Sequence, residues 1–370
     1  MAKYEIEVWD KTGGKLADIR PICQNLQWSR TRNDAETLSF EINQYLYNRL
    51  VNALGYKNNP LSFMEAGRTD LRVKRNGQYL FGANLISIAY SGDTNTVKKT
   101  INATGYLNYF SKRYFTGSYT NQYQENILWD VIEQVESVDN GDYGVRLGTV
   151  IGGNQVRRDR TYSEKEVKSL FQQMSEVING PDFEFTADKK LNIYAAQGVY
   201  RPSLRLAYPG DIAGFSWTRS VENIANQVIG KGSGNGDDAV SATATDNGGA
   251  GYCYLRQKIA TYNSVEQETT LQQNINAVVA QAANPFEVPS LTIQNDILDL
   301  NQLGVGDTVI VDMSGAGDAE LARINGPYRI EQISCSVDSN DSEAVTLTFD
   351  DYNIDDIISK QQPEGTGSAV

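Results

Sequence analysis

Short alternations of apolar and polar residues occupy both ends of this chain. The stretch "LSFEI" alternates Leu38, Phe40 and Ile42 with polar neighbours, which is the period of a strand with one buried face. Apolar residues at helical spacing then predict a helix over residues 44–54. The alternation, divided by the turn clusters "RNG" and "SGDTN", predicts further strands over 4–8, 71–74, 78–90 and 97–104.

The middle of the chain has longer helical periods. Apolar stripes predict helices near 122–138 and 163–179, and Ser163 with Glu166 forms a capping box for the second. The stretch "FEFTADKKLNIY" that follows consists of two alternating runs around a polar turn, which predicts a β-hairpin. We therefore expect residues 107–205 to form a small α+β module.

Strand-like runs return from about residue 206. One helix near 264–283, with a capping box of Ser264 and Gln267, interrupts them. The polar residues 353–370 are expected to form a flexible tail. The strands predicted in this part cover 213–218, 225–230, 252–258, 286–293, 307–313, 326–337 and 343–351.

Two distant stretches resemble each other, "DLRVKRNGQYLFGANLISIAY" and "DTVIVDMSGAGDAELARINGPYRIEQISCSV". Each begins with Asp and a short strand-like run, and each continues through Gly-x-Tyr into a longer one. The alignment pairs Asp70 with Asp307, Gly77 with Gly326, Tyr79 with Tyr328, Val97 with Val345 and Tyr106 with Tyr352. Either one β-unit is duplicated, over 1–106 and 206–352, or two unrelated meanders align loosely.

Composition narrows the classes of function. The 370 residues are enough for two to four domains, and 40% are hydrophobic and 21% charged, as in water-soluble globular proteins. No apolar run is long enough to span a bilayer, and the first residues lack the pattern of a secretory signal. We therefore expect synthesis in a cytoplasm without export by the usual route.

The chain has no histidine and only three cysteines, Cys23, Cys253 and Cys335. This excludes histidine-assisted nucleophiles, the usual zinc sites and a disulfide framework. No phosphate-binding glycine loop or nucleophile elbow occurs. An enzyme that uses carboxylates or tyrosine alone stays open as an alternative, but the sequence predicts no catalytic residues, no cofactor and no metal.

Charge differs between the ends of the chain. The formal net charge is −13 overall, with 14 Lys/Arg against 10 Asp/Glu in residues 1–106 and 6 against 20 in residues 206–352. A net +4 over about a hundred residues is too dilute for a nucleic-acid arm. Ordinary surface variation explains the asymmetry, or the two ends meet in the same or neighbouring subunits.

The order of these parts resembles the hub proteins of bacteriophage tail tips and baseplates, which include minor tail proteins of long-tailed phages. The resemblance covers about residues 1–352 and includes "SVENIANQVIGKGSG", "GYCYLRQ", "LGVGDTVIVD" and "GPYRIEQISCSV". It implies a mainly β fold in which two tail-tube-like β-barrel domains, 1–106 and 206–352, flank the α+β module of 107–205.

The resemblance also implies an assembly. Three subunits would present six barrel units in a ring, so that a homotrimer fits beneath a six-fold tail tube and continues into a three-fold spike or fibre. Such a hub would be made in the host cytoplasm and reside in the virion, with DNA passing through its channel without specific binding. Opposite charge on neighbouring units would favour their correct alternation.

Two groups of residues are candidates for this role. Tyrosine is enriched where proteins meet, and the densest tyrosine cluster marks a junction with the middle module or a subunit interface, with simple domain packing as an equal alternative. The interface candidates are Tyr106, Tyr109, Tyr114, Tyr119 and Tyr123. Acids that line a channel would repel phosphates, and the channel-lining candidates are Asp307, Asp318, Glu320, Asp338 and Asp341.

The alternative function is a tail-associated protein that binds or degrades glycans. Glycan hydrolysis needs two carboxyl groups about 5–10 Å apart across the sugar. The adjacent pairs Asp237-Asp238, Asp350-Asp351 and Asp355-Asp356 do not supply this, because neighbours on a strand point to opposite faces. A structural hub, of a long-tailed phage or of a contractile injection system, is therefore the leading hypothesis.

Overall fold

The computed structural model describes most of the chain. The ranges described are 2–11, 13–56, 63–94, 96–153, 156–177, 179–220, 224–234, 239–246, 254–262, 265, 267–282, 286–294 and 297–349. No α-helix within these ranges is long and apolar enough to cross a membrane. The predicted tail over 353–370 lies outside the described residues.

Strands outnumber helices throughout these ranges. The first part consists of β1 (Tyr4–Trp9), β2 (Lys15–Asp18), β3 (Cys23–Thr31), β4 (Thr37–Asn43), α1 (Gln44–Ala53), β5 (Asp70–Arg75), β6 (Gln78–Gly92) and β7 (Val97–Gly105). The middle part consists of β8 (Tyr114–Tyr123), α2 (Gln124–Glu136), β9 (Arg146–Ile151), β10 (Arg157–Glu166), α3 (Val167–Glu176), β11 (Asp182–Phe185) and β12 (Lys190–Tyr194). The last part consists of β13 (Tyr200–Ala207), β14 (Ile212–Ser220), β15 (Gln227–Lys231), β16 (Ser241–Thr245), β17 (Gln257–Thr261), α4 (Glu268–Ala282), β18 (Phe286–Ile293), β19 (Thr308–Asp312), β20 (Gly326–Val337) and β21 (Glu343–Phe349).

Most predicted elements are present, but the start of α3 was predicted wrongly. Ser163 does not cap the helix, because residues up to Glu166 continue β10, which pairs with β8. The helix begins at Val167, after an extended Glu166. The predicted hairpin is β11 with β12, paired antiparallel. Ser264, the other predicted cap, lies outside the described residues.

One large sheet joins the two ends of the chain. Its hydrogen-bonded order is β14-β18-β21-β20-β3-β4-β7-β6-β5-β1-β2, and β19 pairs with β20 and with β13. A single core runs along it, built from both ends of the sequence, with members such as Ile6, Phe40, Leu291 and Leu347. The predicted pair of separate barrels is therefore not seen, because β3 pairs with β20 and the described strands form an open sheet.

The same strand order occurs twice within this sheet. In the first copy it is β3-β4-β7-β6-β5, and in the second it is β14-β18-β21-β20-β19. Each copy also has an irregularity at the same place, between Leu85 and Ser87 in β6 and between Ile330 and Gln332 in β20. The duplication predicted from the two meanders is thus present in the pairing of the strands.

The residue alignment within the repeat was predicted wrongly. Matching the two irregularities and following the strand register places Val97 level with Glu343, two residues from Val345. The same matching places Asp70 level with Thr308 instead of Asp307. The sequence alignment matched residue types, whereas inserted residues in loops and at the irregularities move the true register.

Two further cores lie outside the main sheet. α2, α3 and the hairpin of β11 and β12 bury a core that includes Ile127, Phe171 and Phe185. α4 packs on the small sheet β16-β15-β17, with Leu271 and Val228 fully buried. This second unit is inserted between β14 and β18. The predicted domain boundaries therefore remain predictions, whereas the three cores are observed.

Candidate functional site: a neutral sheet face and its seams

Over β3, β4, β7, β14, β18, β20, β21 and residues 87–91 of β6, the face of the main sheet opposite the core carries almost exclusively uncharged polar side chains, whereas β5 and β1 carry charged residues such as Arg72 and Lys74 there. Because successive residues of a strand point to opposite faces, the apolar residues of β4 fill the core and their neighbours form this outer face. We call it the hydroxyl face, and none of its members is buried. Its members are Gln27, Ser29, Thr31, Thr37, Ser39, Ser87, Ser91, Thr100, Asn102, Ser216, Thr218, Ser290, Thr292, Gln332, Ser334, Ser336, Thr346 and Thr348.

Hydrogen bonds between strands hold these side chains in place. Ser39 Oγ donates to Asn102 Oδ1 at 2.9 Å, and Asn102 Nδ2 donates to Ser87 Oγ at 3.1 Å, which links three strands. Across the junction of the copies, Gln332 Nε2 donates to Thr31 Oγ1 at 2.8 Å. In this part of the face, hydroxyl and amide groups are therefore held by hydrogen bonds to one another.

The charges at the edge of this face cancel. Glu41 and Lys98 lie on the same side of β4 and β7, and Lys98 Nζ is 3.2 Å from Glu41 Oε2. A face that is neutral and rich in hydroxyl groups has no concentrated positive charge with which to hold phosphates. It also exposes no large apolar patch for a partner to cover.

Ion pairs join the basic first copy to the acidic second copy. Arg75 contacts Glu343 through two hydrogen bonds of 2.8 Å, and both residues are buried. Arg32 Nε is 2.9 Å from Glu331 Oε2, and Arg20 pairs with Asp341. The charge asymmetry of the sequence is thus used within one subunit, where the two ends meet.

Asp182 connects the middle part to both copies. It lies at the start of β11 and is 4% exposed. Its carboxylate lies 2.8 Å from Arg32 Nη1 and 2.6 Å from Arg329 Nη2, and it accepts a hydrogen bond from Asn33. Burial by itself would raise the pKa of Asp182, but the neighbouring Arg32, Asn33 and Arg329 hold that pKa below its usual value.

The five candidate tyrosines do not form one surface. Tyr106 is fully buried, and Tyr109 stacks on its ring at 5.4 Å and donates a hydrogen bond to Asp70. Burial and the adjacent Asp70 raise the pKa of Tyr109. These two residues lie between the first copy and the middle part.

The other three candidates lie on the ribbon of β8 and β10. Tyr119 is partly buried and its hydroxyl donates to Asp130 Oδ2, whereas Tyr114 is 62% exposed. Arg157 lies over the ring of Tyr123 at 3.9 Å. A subunit interface at this ribbon stays a prediction.

The candidate acids are spread over three places around β20. Asp307 is 3% exposed and pairs with Arg201 at 2.7 Å, and Asp318 and Glu320 are exposed in the loop before β20. Asp338 and Asp341 form the turn after it. Since β20 spans twelve residues, it is about 40 Å long. Asp318 and Glu320 therefore lie at one end of this strand, and Asp338 and Asp341 lie at the other. Their role in a channel also stays a prediction.

Sequence reasoning missed the hydroxyl face. Its signal is the choice of Ser, Thr, Asn and Gln at the exposed positions of the strands, where charged residues would serve solubility equally well. The clearest sequence sign of this face is the similarity of "QWSRT" at residues 27–31 to "SWTRS" at residues 216–220. The strand register places these two stretches at equivalent positions of the two copies.

Comparison with solved structures identifies the fold. The chain is similar over 96% of its length to the prophage MuSo2 43 kDa tail protein from Shewanella oneidensis, with a TM-score of 0.65, 13% identity and 99% of that chain covered. It is also similar to a tail protein from Neisseria meningitidis MC58, with a TM-score of 0.64, 10% identity and coverage of 97% of this chain and 99% of that one.

A third similarity reaches beyond phages. An E. coli component of the type VI secretion system, described as structurally similar to the T4 bacteriophage tail proteins gp27 and gp5, matches with a TM-score of 0.51 and 12% identity, over 90% of this chain and 74% of that chain. No family model and no curated sequence relative matches this chain.

The fold is therefore one that phage tail proteins and a component of the type VI secretion system share. This confirms the resemblance that the sequence showed, at the level of the fold.

Proposed function

We propose that this protein is the structural hub of a phage tail tip or baseplate. Three chains, each carrying two copies of one sheet unit, form a pseudo-six-fold ring that joins the tail tube to the distal tip. Its partners are a second and third copy of itself, the ring of tube or distal tail protein above, and spike or fibre proteins below. It is a virion component without enzymatic activity, assembled in the host cytoplasm.

The observation that carries this proposal is the continuous sheet across the two copies. β3 of the first copy pairs with β20 of the second over Leu26 to Thr31, so one chain contains two adjacent sheet units. This supports a ring in which the same side-by-side contact is repeated between chains. Cyclic symmetry lets three identical chains complete such a ring. The finished ring contains barrel-like units that no single chain closes.

The hydroxyl face is the proposed wall of the DNA channel. Non-specific DNA affinity comes from Lys and Arg side chains that neutralise phosphates, and this face presents hydroxyl and amide groups instead. DNA would therefore slide without being retained. Asp318 and Glu320 at one end of β20, and Asp338 at the other, would lie nearer the rims of the channel than its wall.

Size measurement and imaging test the proposal. Light scattering after gel filtration of the full chain should give three times the mass of one chain, and averaged electron micrographs of that fraction should show a ring with a central opening. A stable monomer that binds or cleaves cell-wall polysaccharide would reject the hub and favour the glycan-directed alternative.

A further inference from the structure

The two copies differ at one strand edge. In the first copy, β3 pairs with β4 on one side and with β20 on the other. Its equivalent in the second copy, β14, pairs with β18, and no described strand covers its other edge. Exposed edges of this length are normally covered, because unpaired N–H and C=O groups invite association.

A complementary edge exists in the first copy. β20 uses residues 326–329 to pair with β19 and residues 332–337 to pair with β3, along the same edge. Its equivalent, β6, uses residues 78–84 to pair with β5, and no described strand pairs with that edge over 86–92. Within this segment Ile86 is 43% and Tyr90 is 61% exposed.

We infer that β14 of one subunit pairs antiparallel with residues 87–92 of β6 in the next subunit, which repeats between chains the contact that β3 and β20 make within one chain. This inference rests on the proposed hub and adds the identity and register of its subunit interface. The occupant of each edge is a second copy of this chain, because the chain itself contains the matching surface.

The register follows from the internal contact. Within the chain, Gln27 is level with Ser336 and Trp28 is level with Cys335. The matched irregularities make Ser91 equivalent to Ser336, and the strand register makes Ser216 equivalent to Gln27. The predicted contacts between subunits are therefore Ser216 with Ser91, Trp217 with Tyr90, and Thr218 with Ala89.

Side chains at the free edge fit this pairing. Trp28 is 3% exposed and its indole N–H donates to Tyr4. Its equivalent Trp217 has an indole N–H without a hydrogen-bond partner among the described residues. The exposed ring of Tyr90 would face Trp217 across the interface and supply the aromatic contact area that protein interfaces favour.

A contact between Ser216 and Ser91 cannot arise within one chain. Seven strand-to-strand steps separate β14 from β6 in the sheet, which at about 4.8 Å a step is roughly 34 Å. A disulfide requires Cα atoms within about 7 Å. A bond between cysteines at these two positions therefore reports pairing between subunits.

Cysteine cross-linking tests the register. The double variant Ser91→Cys/Ser216→Cys, in a Cys253→Ser background, should yield a ladder that ends at a covalent trimer on non-reducing gels after mild oxidation. Ser87→Cys/Ser216→Cys, four residues out of register, should give no ladder. Gln27→Cys/Ser336→Cys is the matched positive control, because the equivalent bond forms inside one chain and leaves the monomer band in place.

The outcomes separate the two proposals. One outcome would overturn the edge pairing and leave the hub intact. In it, light scattering shows a trimer and the Gln27→Cys/Ser336→Cys disulfide forms, but the Ser91→Cys/Ser216→Cys disulfide does not. Cross-linking of the out-of-register pair at equal yield would also overturn it. A monomer at every concentration would remove both proposals.

Discussion

The two copies of the sheet unit share their strand order but not their surroundings. In the first copy, both edges of β3 are paired and Trp28 is buried, whereas in the second copy β14 has one described partner and Phe215 is 37% exposed. The same unit thus occurs once with both edges of this strand paired and once with an edge that no described strand covers. The internal contact between the copies is therefore the template for the contact that we infer between subunits.

The copies also differ in the charge that they place at equivalent positions. Glu343 of the second copy is buried against Arg75, whereas its equivalent Val97 is 44% exposed. Lys99 of the first copy is buried where the second copy has Val345. Each departure from symmetry sets a buried charged residue of one copy against a valine of the other.

The largest expected effect comes from breaking the internal seam. Glu343→Ala removes the carboxylate that faces Arg75 and accepts a hydrogen bond from Tyr4 at 2.5 Å. Leaving a buried charge without its partner lowers the free energy of unfolding by about 3–5 kcal/mol. We expect the lower end of this range, because Asp299 still contacts Arg75 in the variant. Urea unfolding measures the loss.

The matched control for that variant is Glu65→Ala. Glu65 pairs with Arg68 at 3.8 Å in an exposed position, where an ion pair contributes less than about 1 kcal/mol. Equal midpoints for the two variants would show that the seam does not hold the copies together.

Proline at equivalent backbone positions compares the two edges directly. Arg32 N donates to Glu331 O, so by alternation the N–H of Arg30 also points to β20, and that of its equivalent Arg219 points to the open edge. Arg30→Pro should cost about 2–3 kcal/mol, since a hydrogen bond is lost and a carbonyl is left unpaired. Arg219→Pro should leave the monomer folded and abolish the trimer.

Arg30→Ala and Arg219→Ala control for the loss of the side chains in that comparison. Thermal unfolding and light scattering are measured on all four variants. A trimer that persists in Arg219→Pro would contradict an edge contact at β14.

The strand and helix pattern could be predicted because it depends on local periodicity. Strands β5, β6 and β7 and the helices α1, α2 and α4 lie where alternation and apolar stripes placed them. β8 and β10 were not predicted, since their residues are mostly exposed and tyrosine, threonine and charged residues replace the usual apolar alternation. The same lack of alternation explains why the prediction of Ser163 as a helix cap was wrong.

The pairing of distant strands could not be predicted from local pattern. β3 pairs with β20, which lies some three hundred residues further along the chain. This pairing depends on which strand edges are still unpaired after each meander has formed. The register could not be predicted either, since single-residue irregularities shift it. The neutral face escaped notice because its evidence lies in positions that become neighbours only when the sheet is assembled.

Adding positive charge to the hydroxyl face would sharpen the comparison of its two halves. Ser39 and Ser290 are equivalent residues of the two copies. Ser39→Lys/Ser290→Lys would place six added cations around a trimer channel, and we expect at least a tenfold gain in affinity for duplex DNA, about 1.4 kcal/mol, that declines with salt. Electrophoretic retardation across a salt series measures it.

Each single lysine variant should give about half of that salt dependence if both copies line the channel. Glu133→Gln/Asp139→Asn raises the net charge by the same +2 at exposed positions of the middle part, and serves as the control for altered net charge. DNA binding that is unchanged by the added lysines would contradict a channel wall formed by this face.

The smallest expected effect concerns the buried Lys99. It is 5% exposed, its Nζ lies 3.4 Å from the centroid of the Tyr47 ring, and burial lowers its pKa from 10.5 to about 8. Between these two pH values the unfolded chain binds a proton that the folded chain does not, so stability rises with pH across that window. Lys99→Met should remove this rise and increase stability at pH 7 by about 1 kcal/mol, because the cost of burying the charge exceeds a cation–π contact. Lys98→Met, at the half-exposed partner of Glu41, should change neither. Chemical unfolding at pH 7 and pH 9.5 measures these stabilities. If Lys99→Met is less stable than the natural protein at pH 7, the contact with Tyr47 outweighs the cost of burying the charge. The first copy would then gain stability from a charge at the position where the second copy has valine.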